Sequence, residues 1–276
     1  MKNRNLIFLI YFLAFITFPG KSSVYGNDPK LPENEKPLPV RSEIKLFNGQ
    51  DLEGWYTYIK GKGRDNDPLK VFTVQKGMIR ISGEEFGCIT TNDEFENYKL
   101  TVKFRWGDQT YYPRTDKARD SGILLHSVGE DGASSGTWMY SIECQIIEGG
   151  TGDFIVVGDG SSKYSITSPV AAEKQGNSYV FQPAGNKVTI NSGRINWFNR
   201  DPEWNDVKDF RGNNDIEKPV GKWNKIECIV KGNEIQIYLN GILVNQAFNV
   251  MPQKGKIQIQ SEGAEIFFKK IILNPL

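Results

Sequence analysis

The chain has 276 residues, 34 of them Lys or Arg against 33 Asp or Glu, with one histidine and a formal net charge of +1. A balance this even, without a basic run, argues against nucleic acid as a partner. It leaves room for one sizeable all-β domain, and 28 glycines supply its turns.

In chain order, Lys2 and Arg4 precede an apolar run from Leu6 to Phe18 that is short for a bilayer span, the pattern of a cleaved secretory signal over residues 1–20. Cleavage falls after Gly20 or as late as Gly26, and no cysteine stands nearby to carry a lipid. The expectation is an exported protein, periplasmic or extracellular, not inserted in the membrane once the signal is gone. Residues 21–40 carry Pro29, Pro32, Pro37 and Pro39 among charges, too little apolar surface to offset ordering, and read as a flexible linker. Residues 41–276 then form a single β-sandwich domain.

Strand signals follow one another with almost no helical period. Glu43 to Phe47, Val71 to Val74 and Met78 to Ser82 are short runs, and Tyr98 to Trp106 is the clearest. There Leu100, Val102, Phe104 and Trp106 alternate with Thr101, Lys103 and Arg105, as in a sheet with one wet face. In DSGILLHS, Asp120 to Ser127, alternation places Ile123 and Leu125 on one face and Gly122, Leu124 and His126 on the other. In YSIECQII, Tyr140 to Ile147, Ile142, Cys144 and Ile146 point inward, so Ser141, Glu143 and Gln145 share the opposite face. Lys60 to Pro68 and Arg194 to Pro219 read as long irregular loops. Near the C-terminus, Ile235, Ile237 and Leu239 lead to Asn240-Gly241, the dipeptide of a type I′ hairpin, which returns through Ile242 to Ala247. Lys225 to Lys231, Gly255 to Gln260 and Ile266 to Leu273 complete more than ten strands, mostly antiparallel, and favour a jelly-roll sandwich. Cys88, Cys144 and Cys228 each sit in a strand-like run and read as buried free thiols.

The polar strand faces supply the candidate site. His126 and Glu143 are the catalytic candidates: the imidazole titrates near neutrality, and a buried carboxyl can be brought there. Gln145, Glu148, Arg105, Arg119 and Arg200 offer hydrogen bonds and charge to a sugar, and Trp197 and Trp204 offer flat faces to its C–H groups. Asp120, His126 and Glu143 together would suit a divalent cation, an optional cofactor. The spacing Glu143-x-Gln145-x-x-Glu148 is similar to the E-x-D-x-x-E strand of laminarinase-type retaining glycosidases, although five residues along a regular strand put Glu143 and Glu148 on opposite faces. A non-catalytic carbohydrate-binding module is the other alternative. The sequence sets no oligomeric state.

LFNGQDLEGW (Leu46 to Trp55), Gly77 to Trp106, DSGILLH (Asp120 to His126) and the closing GKWNKIECIVKGNEIQIYLNGILV and GKIQIQSEGAEIFFKKIILNPL resemble the 3-keto-disaccharide hydrolase family. The family, once a domain of unknown function, is also described as 3-keto-glucoside 1,2-lyase and 3-keto-2-hydroxyglucal hydratase. The resemblance covers Glu43 to Leu276 and rests on scaffold segments. It implies a concanavalin A-like lectin/glucanase fold, a carbohydrate or glycoside substrate, and cleavage of 3-keto-glycosides by C2 deprotonation and C1–O elimination, with net hydrolysis after hydration.

Overall fold

In the computed structural model, the residues described are 42–276, so the signal expected over residues 1–20 and the linker over 21–40 lie outside them. From residue 42 onward the chain forms one unit of strands and turns. No helix among the described residues is long and apolar enough to cross a membrane.

Two sheets, of ten and nine strands, pack face to face as a jelly-roll sandwich. Apart from the parallel pairing of Tyr179–Val180 with Gly193–Asn196, the pairs are antiparallel. The strand Tyr98–Thr110 shows why the layers form. Tyr98, Leu100, Val102, Phe104 and Trp106 are buried between the sheets, and the residues between them are half-exposed, so a slip of one residue would turn the apolar row to solvent. Opposite lie Ile123, Leu125, Ile142, Cys144 and Ile146 from the nine-stranded sheet. The three cysteines are free and buried.

The hairpin at Asn240-Gly241 forms as its dipeptide predicts, with φ of 51° and 91° at the two central residues. Two irregular regions differ from expectation. Gly63–Arg64 is a short strand inside Lys60 to Pro68. Gly193–Asn196 is a strand paired to Phe154–Val157, so Arg194 belongs to the sheet and not to the long loop. Strands such as Gly87–Thr91, buried at every position, carry no alternation because both their faces are covered.

Candidate active site

The outer face of the nine-stranded sheet, turned away from the core, carries a row across seven strands that is polar except at Leu124 and Ile155. Register places Tyr56 beside Thr90, Thr90 beside Gln258, Gln258 beside Leu124, Leu124 beside Glu143, Glu143 beside Ile155 and Ile155 beside Arg194. Two pairs further along, on the same face, Gly122 lies beside Gln145. A Cβ at Gly122 would collide with Oε1 of both Glu143 and Gln260. Glycine there leaves room for those two side chains, not for an imidazole.

Asp120, Glu143, Gln145, Arg194, Gln260 and Glu262 line a hollow of about 300 Å³, with Trp138 also on its wall. Asp120 is tied in place: it accepts a hydrogen bond from Gln145 Nε2 and lies 3.3 Å from Arg114 Nη1. Arg194 reaches Asp153 at 3.0 Å and Gln145 Oε1 at 3.4 Å. Glu143, 3 % exposed, faces the hollow with Gln260 as a hydrogen-bonding neighbour. Burial first, and the Asp120 charge second, push its carboxyl up to about 8. Burial likewise pushes Asp120 up to about 7 against the pull of Arg114 and Arg194. Glu262 is driven well above the carboxylate range by burial and by Asp120 and Glu143. Three carboxyls facing two arginines therefore retain protons near neutrality, the condition for acid–base work.

His126 does not join them. The register of its strand shifts between Leu125 and Val128, and His126 takes a left-handed φ of 53°. This bulge reverses the alternation, and the fully buried ring meets core residue Tyr98 edge-on at 6.1 Å. Its Nδ1 lies 2.7 Å from Pro252 O. The pairing of His126 with Glu143, and with it the metal set Asp120, His126 and Glu143, is corrected by this geometry. Among the described residues no three His, Cys, Asp or Glu side chains are grouped to hold a metal ion.

Arg105 projects from the other sheet, where Trp223 and Phe267 sandwich its guanidinium at 5.4 and 4.6 Å. Arg119 and Glu148 form a closed buried pair at 2.7 Å, completed by Asp209 and by backbone N–H groups. Glu148 borders a different cavity, with Trp106 and Glu217, so the laminarinase-like pair Glu143 and Glu148 does not share a site. Trp197 is buried and donates to Gly149 O, and Trp204 donates to Glu148 O, so both pin the long loop to the glycine turn. Arg200 pairs with Asp153 and lies 4.1 Å over the Trp204 ring. Trp204 and Arg200 border a neighbouring basin. The hollow thus gathers Asp120, Glu143 and Gln145 from the expected set and adds Arg194, Gln260 and Glu262, which alternation alone did not single out. Gln260 was accessible to that reading, since Ile257 and Ile259 face the core on either side of Gln258.

A sequence model of the 3-keto-alpha-glucoside-1,2-lyase-like domain matches residues 42–274. No curated protein matches the sequence. Among solved structures, a protein of Parabacteroides distasonis assigned provisionally to the glycosyl hydrolases is similar at 16% identity and a TM-score of 0.50, covering 85% of this chain and 94% of its own. A second such protein of that organism has 19% identity, TM-score 0.48 and coverage of 85% and 100%. A β-glucanase of Bacillus licheniformis has 12% identity, TM-score 0.42 and coverage of 84% and 96%.

Proposed function

This chain belongs to the 3-keto-alpha-glucoside-1,2-lyase-like domain family, and on that premise we propose that it cleaves 3-keto-glycosides at the hollow around Glu143. It is a carbohydrate-active protein; the reaction and the residues are our reading. The observation that carries it is Glu143 itself, a buried carboxyl above a glycine gap, raised to about 8 and facing the hollow that it shares with Arg194.

A ketone at C3 acidifies the C2 proton, because the electron pair left behind is delocalised onto the ketone oxygen. Glu143, when ionised, takes that proton. A carboxylate with raised proton affinity is a better base for a carbon acid than an ordinary one. Arg194 holds the enolate oxygen with its positive charge. Asp120, fixed by Arg114 and Gln145 and raised only to about 7, ionises before Glu143, and its charge then sustains the basicity of Glu143. The enolate then collapses: the C1=C2 bond forms, the C3 carbonyl is restored, the C1–O bond breaks, and Glu143 returns its proton to the departing oxygen. Adding water across C1=C2 by the reverse proton movements completes net hydrolysis. Export to the periplasm or beyond, from the pattern of residues 1–20, belongs to the same proposal.

The test incubates the protein with a 3-keto-glucoside in deuterated water and follows aglycone release and deuterium at C2. Release with C2 exchange is expected, and Glu143→Gln lowers the rate by roughly 10²-fold or more. An unchanged rate in that variant overturns the site. Tight sugar binding with no release would leave a carbohydrate-binding module.

A further inference from the structure

The outer face of the ten-stranded sheet, on the far side of the sandwich from the hollow, gathers cations that no step above employs. Lys103, in the strand Tyr98–Thr110, lies directly opposite Lys225 of the neighbouring strand on one side and Lys270 on the other. A register shift between Phe268 and Lys270 inserts one residue there, so Lys269 and Lys270 both stand exposed between buried Phe268 and Ile271. Next along the central strand comes Arg105, its guanidinium held between Trp223 and Phe267, and Lys269 Nζ lies 3.9 Å from the Trp223 ring centre. The acids on this face are already taken: Glu227 pairs with Lys225 at 2.5 Å and Lys99 at 2.6 Å, and Glu265 pairs with Arg80 at 2.7 Å. Among the described residues Lys103, Arg105, Lys269 and Lys270 form no ion pair.

Like charges directly opposite one another on a sheet repel. The strain is visible at Lys269, whose ammonium is held below its ordinary pKa by burial and then by Lys103 and Arg105. A bound anion relieves it. A guanidinium clamped between two rings presents its N–H edge, which fits the paired oxygens of a carboxylate, and the lysines stand as point charges on strands about 4.8 Å apart. The complement is a chain of closely spaced carboxylates. Trp223 has Arg105 and Lys269 against its ring and is no apolar wedge for lipid.

We propose that this face binds an acidic polysaccharide, its successive uronate carboxylates seated on Arg105, Lys103, Lys269 and Lys270. The choice of a glycan among polyanions rests on the carbohydrate-active family, not on the reaction at Glu143.

The test titrates the protein by calorimetry with oligogalacturonate, with a neutral malto-oligosaccharide of equal length and with single-stranded DNA of equal charge. Binding of oligogalacturonate is expected, weakening as salt is raised. The double variant Lys103→Gln, Lys270→Gln should weaken it about tenfold. That variant should melt no lower than wild type, since opposed charges are removed, and should release aglycone from a 3-keto-glucoside at the wild-type rate. Unchanged affinity in the double variant overturns the proposal, as does a wild-type protein that ignores oligogalacturonate or takes the neutral oligosaccharide or the DNA as tightly. Should the double variant not fold, exposed Lys270→Gln alone decides: a fall of about threefold supports the assignment and constancy overturns it. A protein that binds oligogalacturonate as expected but releases no aglycone supports this surface and defeats only the reaction at Glu143.

Discussion

Replacing Glu143 by Gln should make the protein more stable relative to wild type as the pH rises. The folded state holds the Glu143 proton up to about pH 8, whereas the carboxyl of an unfolded chain releases it near 4.5. Between those values the folded protein binds more protons than the unfolded one, so stability falls as pH increases. The contribution is fully present below about pH 4.5 and is lost as pH rises through about 8. Three and a half decades at about 1.36 kcal/mol each set a ceiling on the order of 4 to 5 kcal/mol for this one group. Glutamine fills nearly the same volume over Gly122 and carries no titrating proton, so the term vanishes. Urea unfolding of both proteins at pH 5, 6, 7 and 8 checks this: the difference in free energy should grow with pH in favour of the variant. Curves that stay parallel would refute the claim that burial and the Asp120 charge hold a proton on Glu143.

Gly122→Ala should displace Glu143 and Gln260, costing about 1–3 kcal/mol of stability from overpacking and at least tenfold in aglycone release, measured by melting and by rate. For His126→Asn, whose side chain tolerates the left-handed backbone, kcat/KM should stay within about threefold of wild type while the urea midpoint falls, because the ring packs on Tyr98 in the core. In the pH profile, kcat/KM should rise with pH and level off above about 8, as the free protein's Glu143 loses its proton. A profile falling through that range would make Glu143 the acid alone.

Where strands are regular, the sequence was enough. Alternation put Glu143 and Gln145 on one face and Ile142, Cys144 and Ile146 on the other because Ile142–Ile147 pairs without interruption along Asp120–Leu125. The same rule failed one residue later at His126, where the bulge depends on contacts from far along the chain: Pro252 O meets the imidazole, and Gly255 lies close against the backbone of residues 126 and 127. Nothing in DSGILLHS announces those partners. Arg194 was hidden for a different reason. Its four-residue strand is flanked by the Asn191-Ser192 turn and a long loop, and pairing with Phe154–Val157 makes it extended. Glu262 sits in the turn between Lys256–Ser261 and Ala264–Pro275. Its place beside Asp120 and Glu143 follows from sheet order, which local pattern does not encode. The long loop's tryptophans, expected to face a sugar, donate to the backbone carbonyls of Glu148 and Gly149, contacts that no local pattern announces.

The two charges of the hollow are mounted on supports of unequal stiffness. Asp120 and Glu143 ride long interior strands, Asp120–Val128 and Tyr140–Ile147, each bonded on both sides. Arg194 rides a four-residue segment one place from the sheet's margin, braced outwardly by the two-residue Tyr179–Val180 alone. On the function proposed above, the cationic side of the hollow rests where the sheet has least pairing to hold it and the carboxyl side where it has most, so Arg194 is the member of the site with the freer support.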